Sequence, residues 1–458
     1  MQKILNIIKK LIPSKLFKAL QPCYHFILSF LAALIYGWPS NKLIVIGVTG
    51  TTGKTTSVFL IAKTLAKAGF KVGYTSTAMF NDGRKEWLND KKMTMPGRFF
   101  TQRMLRSMLR NKCEYAIVET TSEGIRQFRH RFINYDVLVF TGLYPEHIES
   151  HGGFENYKRA KGKLFAHLKN CQPKYADSNN CIRCSDSGMK KINLNRIKKT
   201  IIVNADDKQA LYFSSFWADT KLGFSKGRDI KLEDDVEIIN YKDIKGNNQG
   251  TSFKVNINKI NLQLLGEFNV TNAMTAVCVG LSQAVDISKI KNGLESISGV
   301  PGRLEKIDQG QDFTIIVDYA FEPKAVAKLY ETIDLIPHAK VIHVLGSAGG
   351  GRDKDRRPKL GALAGRNADY IIITNEDPYD EDPQVIINQV ARGVKSNKEV
   401  FKILDRREAI NKALSIATKN DIVLITGKGS EQAICLANGG RMKWDDREVV
   451  RQLLTIDS

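Results

Sequence analysis

A short apolar run that ends near a glycine opens the main part of the chain. Residues 43–48 read Leu-Ile-Val-Ile-Gly-Val, which is typical of a buried strand in a parallel sheet. Residues 54–68 then carry apolar side chains at helical spacing and stop at Gly69, a common helix terminator. Further strand-like runs lie at 115–119 and 136–140. The pattern predicts alternating strands and helices around a mostly parallel sheet.

The same rhythm restarts after Pro301-Gly302. Four apolar runs, separated by segments of helix length, lie at residues 314–317, 340–345, 370–374 and 422–426. They predict a second α/β domain with a mostly parallel sheet. Between the two patterns, residues 171–262 are polar and weakly periodic, and we expect peripheral strands and loops of the first domain there. Residues 269–283 are predicted as a helix.

The N-terminus differs from the rest. Residues 1–18 contain five Lys and no acidic residue, and residues 19–38 carry no formal charge. Three interpretations fit: a membrane-spanning helix, a basic helix lying on a membrane, and an ordinary packed helix. Pro22 and its polar neighbours shorten the apolar core, which favours a packed or membrane-touching helix. A cleaved signal is not expected, because a strand follows at once without a good cleavage site.

A chain of 458 residues is too long for a single core. We expect an N-terminal helical segment at residues 1–40, a central domain at 41–299 and a C-terminal domain at 300–458.

Charge and cysteine content narrow the classes of partner. The 69 Lys and Arg residues exceed the 48 Asp and Glu residues and give a net charge of +21, which favours polyanions or simply a solvated basic surface. No RNA-recognition or helix-turn-helix signature accompanies it, so no nucleic-acid partner is expected. Seven Cys without a framework pattern indicate a reducing compartment, here the cytoplasm. Cys181 and Cys184 form one CxxC, and with Cys171 they fall one ligand short of a zinc ribbon.

Residues 47–56 read Gly-Val-Thr-Gly-Thr-Thr-Gly-Lys-Thr-Thr, between the first strand and the first helix. In that context a glycine-rich loop lets backbone N–H groups approach phosphate oxygens, while Lys54 neutralises the β- and γ-phosphates and Thr55 binds Mg²⁺. The spacing departs from the common pattern, since Val48 stands six residues before Lys54. The loop predicts ATP binding by Gly50, Thr51, Thr52, Gly53, Lys54, Thr55 and Thr56.

More motifs follow in a definite order. They are Val-Glu-Thr-Thr-Ser at 118–122, Phe-Thr-Gly-Leu at 140–143 with Glu146-His147 and His151-Gly152, Tyr-Lys-Arg-Ala-Lys at 157–161, Gly-Glu-Phe-Asn-Val-Thr-Asn-Ala at 266–273, Val-Pro-Gly-Arg-Leu-Glu at 300–305, Asp-Tyr-Ala at 318–320, Gly-Lys-Gly-Ser-Glu at 427–431 and Asp-Asp-Arg-Glu at 445–448. With the phosphate loop, they resemble the Mur ligase family over residues 41–450. The branch that adds the third residue to UDP-N-acetylmuramoyl-L-alanyl-D-glutamate is the most similar.

The resemblance implies a P-loop central ATPase domain, a C-terminal Rossmann-like α/β domain, and amide formation through an acyl phosphate. Glu119 and His147 would bind Mg²⁺, and Lys161 would carry a CO₂ adduct that binds a second Mg²⁺. Taken alone, each of these residues is more often an ordinary surface group, and Lys158 and Lys163 compete with Lys161 for the role.

The resemblance also implies contacts for the nucleotide and the two substrates. Asn269 and Asn272 would contact adenine, although they could merely cap the helix. Arg303 and Asp318 would contact the phosphate and the ribose. The muramoyl peptide would lie against Thr94 and Ser122, and the incoming amino acid against Glu376, Asp377 and Glu431.

Three departures from the family pattern stand out. Tyr379 replaces an Arg that would bind the distal carboxylate of diaminopimelate, which favours a lysine-like amino acid. Phe321 replaces a usual His. Only about forty residues precede the first strand, where this branch carries a uridine-binding domain, so we expect membrane contact through residues 1–38.

Other functions compatible with the pattern are a folylpolyglutamate-synthetase-like enzyme, a lipid-linked amidoligase, and a nucleotide-binding scaffold with a degenerate site. The strings at 318–320 and 427–429 favour the muramoyl branch, and the incomplete cysteine set argues against the amidoligase.

Overall fold

The computed structural model describes residues 14–145, 151–176, 182–184, 195–227, 230, 232–351, 354–395 and 397–456. These residues group into two compact units. The first contains the described residues up to Trp87, with Met93–Tyr241 and Asn272–Gly293. The second contains Leu88–Lys92, Lys242–Thr271 and the described residues from Leu294 onward. The domain limits expected from the sequence stay predictions.

In the first unit, strands and helices alternate along most of the chain. Its elements are α1 (Ser14–Tyr36), β1 (Ile44–Thr49), α2 (Lys54–Lys67), β2 (Val72–Thr75), β3 (Met79–Asn81), β4 (Glu86–Leu88, which ends in the second unit), α3 (Arg98–Arg110), β5 (Tyr115–Glu119), α4 (Ser122–Arg126), β6 (Val137–Phe140), α5 (Phe154–Leu168), β7 (Lys174–Ala176), β8 (Ile182–Cys184), β9 (Asn195–Ile197), β10 (Thr200–Asn204), α6 (Ala210–Ser214) and β11 (Thr220–Ser225).

The main sheet contains, within this unit, the consecutive strands β11–β10–β6–β1–β5–β2–β3. Every neighbouring pair is parallel except β2 and β3. Val48 lies opposite Glu119, and Thr49 lies opposite Phe140, so β1, β5 and β6 end at the same edge. The predicted mostly parallel sheet is confirmed.

Strand β10 corrects one expectation. Residues 171–262 were expected to be peripheral, yet β10 lies between β6 and β11 and its first four residues are buried. Its Ile201-Ile202-Val203 run is short enough to be masked by the polar, Lys-rich sequence around it. The small antiparallel sheet β8–β7–β9 is peripheral as expected.

Helix α1 packs one face on the first unit. The Ser29 hydroxyl donates to the carbonyl of Phe128 over 2.9 Å, and Arg98 of α3 reaches both Ser29 and His25. The opposite face exposes apolar side chains, namely Leu20, Tyr24, Ile27, Leu31, Leu34 and Ile35. None of the helices in the described part of the chain has the length and apolar character needed to cross a bilayer.

Helices α7 (Glu267–Ser282) and α8 (Ile287–Glu295) and strand β12 (Val236–Asn247) each contain residues of both units. The other elements of the second unit are β13 (Gly250–Val255), β14 (Asn258–Leu262), β15 (Glu305–Ile307), β16 (Thr314–Asp318), α9 (Pro323–Ile333), β17 (Val341–Leu345), α10 (Arg356–Asn367), β18 (Tyr370–Ile373), α11 (Pro383–Ala391), β19 (Glu399–Lys402), α12 (Arg406–Ile416), β20 (Ile422–Thr426), β21 (Ala433–Cys435), β22 (Arg441–Lys443) and α13 (Asp446–Ile456).

A six-stranded sheet with the order β15–β16–β20–β17–β18–β19 forms the centre of the second unit. Only the β15–β16 pair is antiparallel. Successive residues of β16 alternate between two cores: Ile316 packs with α9, α10 and α11, whereas Ile315 and Val317 pack with α12 and α13. Helices therefore cover both faces, as a parallel sheet requires, and the predicted second α/β domain is confirmed.

Candidate active site

The phosphate loop leaves β1 and enters α2 through Gly53, which has a φ of +78°. A Cβ at this position would lie 2.4 Å from the Asn272 side-chain oxygen, so both the backbone and the neighbour require glycine. The loop is supported from the end of β6: the N–H of Thr51 donates to the Gly142 carbonyl, and the Thr141 hydroxyl donates to the Thr52 carbonyl over 2.7 Å. The first turn of α2 is therefore fixed next to the strand ends.

A chain of hydroxyl groups connects the loop to the end of β5. The Thr55 hydroxyl lies 3.1 Å from both carboxylate oxygens of Glu119. The same carboxylate accepts from the N–H of Thr77 over 2.7 Å and from its hydroxyl over 3.0 Å. The Thr77 hydroxyl is also 3.0 Å from that of Thr94. The structure thus brings Thr55, Glu119 and Thr94 together, and adds Thr77.

Two lysines lie against the loop backbone. The Lys54 ammonium donates to the carbonyl of Thr51 over 2.7 Å, and that of Lys161, from α5, donates to the carbonyl of Gly50 over 2.8 Å. Lys161 is buried and its ammonium lies 4.7 Å from the centre of the Tyr157 ring. Lys158, in contrast, pairs with the exposed Glu155 one helical turn away. The geometry therefore favours Lys161 over Lys158 as the loop-facing lysine.

A histidine other than the predicted one contacts Ser122, a residue predicted to lie against the muramoyl peptide. His147 lies outside the described residues, whereas His151 shares a 3.1 Å hydrogen bond with the Ser122 hydroxyl. Its ring is 5.1 Å from that of Tyr157. Burial, reinforced by nearby cations that include Lys161, lowers the pKa of His151. The surroundings of this histidine therefore disfavour its charged form next to Ser122.

The two asparagines of α7 differ in their contacts. Asn269 donates its side-chain amide to the carbonyl of Leu265 over 2.8 Å, on the segment that precedes the helix. Asn272 directs its side-chain oxygen at Gly53 of the phosphate loop. Both are buried. Asn272 is thus placed at the loop, and Asn269 contacts its own helix start.

In the second unit, Asp318 ends β16 and accepts N–H groups from Leu304 and Ala320 over 2.7 and 2.6 Å. Burial raises the pKa of Asp318, and Arg303 opposes that shift. The Arg303 guanidinium stacks 4.1 Å from the centre of the Tyr319 ring. Asp318 and Arg303 are therefore adjacent, within a turn fixed by backbone hydrogen bonds.

Two of the residues predicted to bind the amino-acid substrate, Asp377 and Glu431, form a buried ionic cluster with two lysines. Asp377 and Glu431 both accept from the Lys428 ammonium, over 2.9 and 2.8 Å, and Lys428 is completely buried. The ammonium of Lys92 donates to the same two carboxylates, over 2.8 Å in the case of Asp377. Asp377 also accepts the N–H of Cys435 over 2.7 Å. Two carboxylates are thus matched by two ammonium groups.

Glu376 lies next to this ionic cluster but is not part of its hydrogen bonds. Its Oε2 has no hydrogen-bond partner among the described residues, and burial raises the pKa of its carboxyl. The oxygen points at Gly427, where a Cβ would lie only 2.6 Å away and where φ is +104°. Only glycine therefore fits between Glu376 and Lys428.

The buried pair Arg406–Asp446 fixes the end of β20. Two hydrogen bonds of 2.8 Å join the guanidinium to the carboxylate, and Arg406 also donates to the carbonyl of Thr426 over 2.8 Å. This pair holds the strand end from which Gly427 and Lys428 begin. Sequence reasoning noted the acidic motif at 445–448 but assigned it no role.

The donor set at Thr55 and Glu119 fits Mg²⁺. A hydroxyl and a carboxylate beside a phosphate loop are the oxygen ligands that this ion takes, with phosphates and water completing the shell. In the described part of the chain, no three His, Cys, Asp or Glu side chains group around a common point. The protein residues in view thus suit a metal held jointly with a phosphate rather than a closed metal cage.

Sequence reasoning missed three residues of these sites: Thr77, His151 as the histidine that contacts Ser122, and Lys92. Thr77 follows β2 without any motif, and parallel strands that end at one edge are the only signal for it. Lys92 stands two residues before the noted Thr94, and no local pattern links it to Asp377.

Family models match both parts of the chain. The Mur ligase middle domain matches residues 48–193 and 188–280, and the Mur ligase, glutamate ligase domain matches residues 302–429.

Individual relatives agree with these matches. The chain is 33% identical over 437 residues to a UDP-N-acetylmuramyl-tripeptide synthetase of Roseiflexus sp. (strain RS-1), covering 93% of this chain and 81% of that protein. It is 33% identical over 430 residues to a UDP-N-acetylmuramoyl-L-alanyl-D-glutamate–2,6-diaminopimelate ligase of Syntrophomonas wolfei, with the same coverage of 93% and 81%. A solved structure of such a diaminopimelate ligase superimposes with a TM-score of 0.58 at 25% identity, covering 91% of this chain and 79% of that one. The chain belongs to the Mur ligase family of ATP-dependent, ADP-forming ligases.

Proposed function

We propose that this protein joins an amino acid to the terminal carboxylate of a muramoyl-peptide precursor of peptidoglycan, at the expense of ATP. The observation that carries the proposal is the chain Thr55–Glu119–Thr77–Thr94. It links the phosphate loop to Thr94, which the family resemblance assigns to the muramoyl peptide. An isolated ATPase would need the first two of these residues but not the connection to the last.

The chemistry follows from the residues present. The carboxylate of the acid substrate attacks the γ-phosphorus of ATP, so an acyl phosphate forms and ADP leaves. The amine of the amino acid then attacks the acyl carbon, a proton is lost from nitrogen, and phosphate leaves as the amide forms. Both steps bring anions together, so positioned cations dominate catalysis. Lys54 and the loop N–H groups hold the phosphates, and Ser122 with Thr94 orients the acid.

Mg²⁺ held by Thr55 and Glu119 would neutralise charge on the phosphate oxygens.

Lys161 lies close enough to the loop, at the carbonyl of Gly50, to serve the same region. We propose that it carries a CO₂ adduct, which would turn a buried cation into an anionic oxygen ligand. Lys161→Ala should then lose activity that small carboxylates such as acetate restore. Full activity without acetate would reject this role.

For the amino acid, we propose a diamino acid with a cationic side chain, such as lysine. Asp377 and Glu431 form an acidic pair, and Tyr379 stands where an arginine would bind a distal carboxylate. Tyrosine cannot provide the paired N–H donors that a carboxylate prefers.

Phosphate release from ATP tests this function. The full chain is mixed with Mg²⁺-ATP, UDP-N-acetylmuramoyl-L-Ala-D-Glu and one of a panel of amino acids: L-lysine, meso-diaminopimelate, L-ornithine and L-norleucine. We expect release that requires both organic substrates and is fastest with L-lysine. Release that ignores the amino acid would reduce the protein to an ATPase. No release with any pair would reject the proposal.

We also propose that helix α1 brings the enzyme to an anionic membrane surface. Its apolar stripe is exposed, and residues 1–18, which run into the start of the helix, contain five Lys and no acid. An apolar helix face flanked by basic residues binds in the interface of anionic lipids.

Flotation with liposomes tests the membrane proposal. The full chain should float with phosphatidylglycerol vesicles, and the triple variant Ile27→Asn, Leu34→Asn, Ile35→Asn should float much less. Ile257→Asn, at an exposed apolar residue elsewhere, is the matched control. Equal flotation of the triple variant and the parent would overturn the proposal. It would also be overturned if the triple variant self-associates in the absence of lipid and this self-association accounts for its reduced flotation.

A further inference from the structure

The ionic cluster contains a group that looks like a ligand. The Lys92 side chain places an alkylammonium against Asp377 and Glu431, with 6% of the side chain exposed. A lysine substrate would present the same chemical group on the same four-carbon stem. The residues that are proposed to receive the substrate side chain are therefore already occupied by the protein itself.

The two lysines of the cluster are not equivalent. Lys428 donates to Asp377, Glu431 and the carbonyl of Ala433, which uses all three of its N–H bonds. It is completely buried and follows the fixed end of β20. Among the described residues, Lys92 donates to the two carboxylates and to no carbonyl. Lys428 thus belongs to the permanent structure of the site, and Lys92 is the exchangeable member.

The backbone at Lys92 supports this distinction. Its φ is +55°, in the left-handed region that residues with a side chain rarely adopt, and it lies in a turn after β4. No glycine relieves this conformation, so the contacts of the side chain must compensate for the strain. Release of the ammonium would let the turn relax, which favours withdrawal once another cation takes its place.

Charge counting gives the consequence. With both lysines present, two carboxylates face two ammonium groups and the cluster is neutral. A neutral cluster gives an incoming cation no net attraction. Without Lys92, one negative charge remains uncompensated, and the carboxyl of Glu376 with its unpartnered Oε2 lies beside it.

We propose that Lys92 is a tethered competitor, which occupies the position for the cationic side chain of the amino-acid substrate and must withdraw before a diamino acid binds. This inference rests on the proposed ligase function. It makes Lys92 a specificity-determining residue: amino acids with a cationic side chain can displace it, and neutral ones cannot replace its charge.

Lys92→Met tests the proposal, since methionine keeps an unbranched stem and removes the charge. In phosphate-release kinetics, the KM for L-lysine should fall about tenfold, because the substrate ammonium no longer has to displace that of Lys92 from the two carboxylates. The KM for ATP should not change, and L-norleucine should not improve. Lys92→Arg keeps the charge and should retain the parental KM for L-lysine.

Lys91→Met is the matched control. The neighbouring Lys91 pairs with the exposed Asp90 and is 41% exposed, so its removal should leave every parameter unchanged. An unchanged or raised KM for L-lysine in Lys92→Met, with turnover preserved, would overturn the competitor role.

Direct titration of L-lysine into the full-length parent and Lys92→Met separates this inference from the proposed function. Tighter binding by the variant without any phosphate release would retain the competitor role and reject the ligase. Phosphate release in both proteins with equal lysine affinity would retain the ligase and reject the competitor role.

Discussion

The phosphate loop of the first unit and the ionic cluster of the second hold their charged side chains in different ways. At the phosphate loop, Lys54 and Lys161 donate to backbone carbonyls, and Glu119 accepts from hydroxyl and N–H groups. In the ionic cluster, Asp377 and Glu431 accept directly from ammonium groups. The two ammonium groups of the ionic cluster cancel the charge of its two carboxylates, whereas the contacts named at the loop are hydrogen bonds between a charged and an uncharged group.

This difference indicates what each region exchanges during turnover. The Lys54 ammonium, which donates to the Thr51 carbonyl, can turn to a phosphate and form a charge-assisted hydrogen bond there. A carboxylate in a buried ion pair loses heavily if a partner leaves, unless an equal charge replaces it. The first region is suited to receive anions, and the second can accept a cation only by substitution.

The largest effect is expected from Glu119→Gln. The amide keeps the size of the side chain but removes the charge that would hold Mg²⁺, so kcat should fall about 10³-fold, a typical loss for an electrostatic group at a phosphoryl-transfer site. Phosphate release measured over a range of Mg²⁺ concentrations checks this. Glu123→Gln, at the exposed start of α4, should behave as the parent. Parental activity of Glu119→Gln would remove the metal role.

Asp377→Asn should act on one substrate only. It leaves Lys428 with a weaker partner and removes one of the two carboxylates for the amino-acid side chain. We expect the KM for L-lysine to rise about 30-fold, or roughly 2 kcal/mol, with the KM for ATP unchanged. Initial-rate kinetics with each substrate varied in turn make the comparison. A matching rise in both KM values would show that the damage is general rather than local.

Acid should destabilise the first unit more than the second. Burial lowers the pKa of His167 to about 4 and also lowers that of His130, both in the first unit. Below pH 6.5 the unfolded chain protonates these histidines and the folded one does not, so stability falls with falling pH, by about 1.4 kcal/mol per unit for each group. In the second unit His343 behaves likewise, with a pKa of about 3. The stability that the second unit loses through His343 is offset by Asp318 and Glu376. Their raised pKa values mean that the folded state takes up protons at a higher pH than the unfolded state does.

Hydrogen exchange of the full chain at pH 7 and pH 5, corrected for the intrinsic rate, resolves the two units by peptide. Peptides from α5 and β6 should lose more protection on acidification than peptides from β16 and β20. Equal losses of protection in the two sets of peptides would contradict the expected difference in acid sensitivity.

The smallest effect is expected from Thr77→Val. It removes the hydroxyl between Glu119 and Thr94 but keeps the N–H that binds Glu119. Loss of about 1 kcal/mol should lower kcat/KM for the muramoyl substrate roughly fivefold. Because Thr94→Val breaks the same connection, the double variant should lose less than the sum of the two. Full additivity would show that the two hydroxyls act independently.

The sequence predicts the fold well because its strands are continuous apolar runs. β1, β5 and β20 begin and end within one residue of the expected limits. β10 was expected to be peripheral, since its Ile201–Val203 run lies in a Lys-rich stretch and hydrophobic periodicity is measured over longer windows.

Residues of the candidate active site could be predicted where they stand in a recognisable sequence motif. Lys54, Thr55, Glu119 and Lys161 each stand in such a motif, and the structure places all four around the same loop. Thr77 and Lys92 are brought to their partners by pairing between distant segments. Lys92 is 285 residues from Asp377, and nothing in either local sequence encodes that contact.

Transfer of ¹⁸O tests the central claim, amide formation through an acyl phosphate. The muramoyl-peptide substrate is labelled with ¹⁸O in its reacting carboxylate and turned over with Mg²⁺-ATP and L-lysine in unlabelled water. One ¹⁸O should appear in each phosphate released, because the carboxylate oxygen that attacked phosphorus leaves with it. Phosphate that contains only ¹⁶O would mean that water attacks ATP, and would contradict the ligase mechanism.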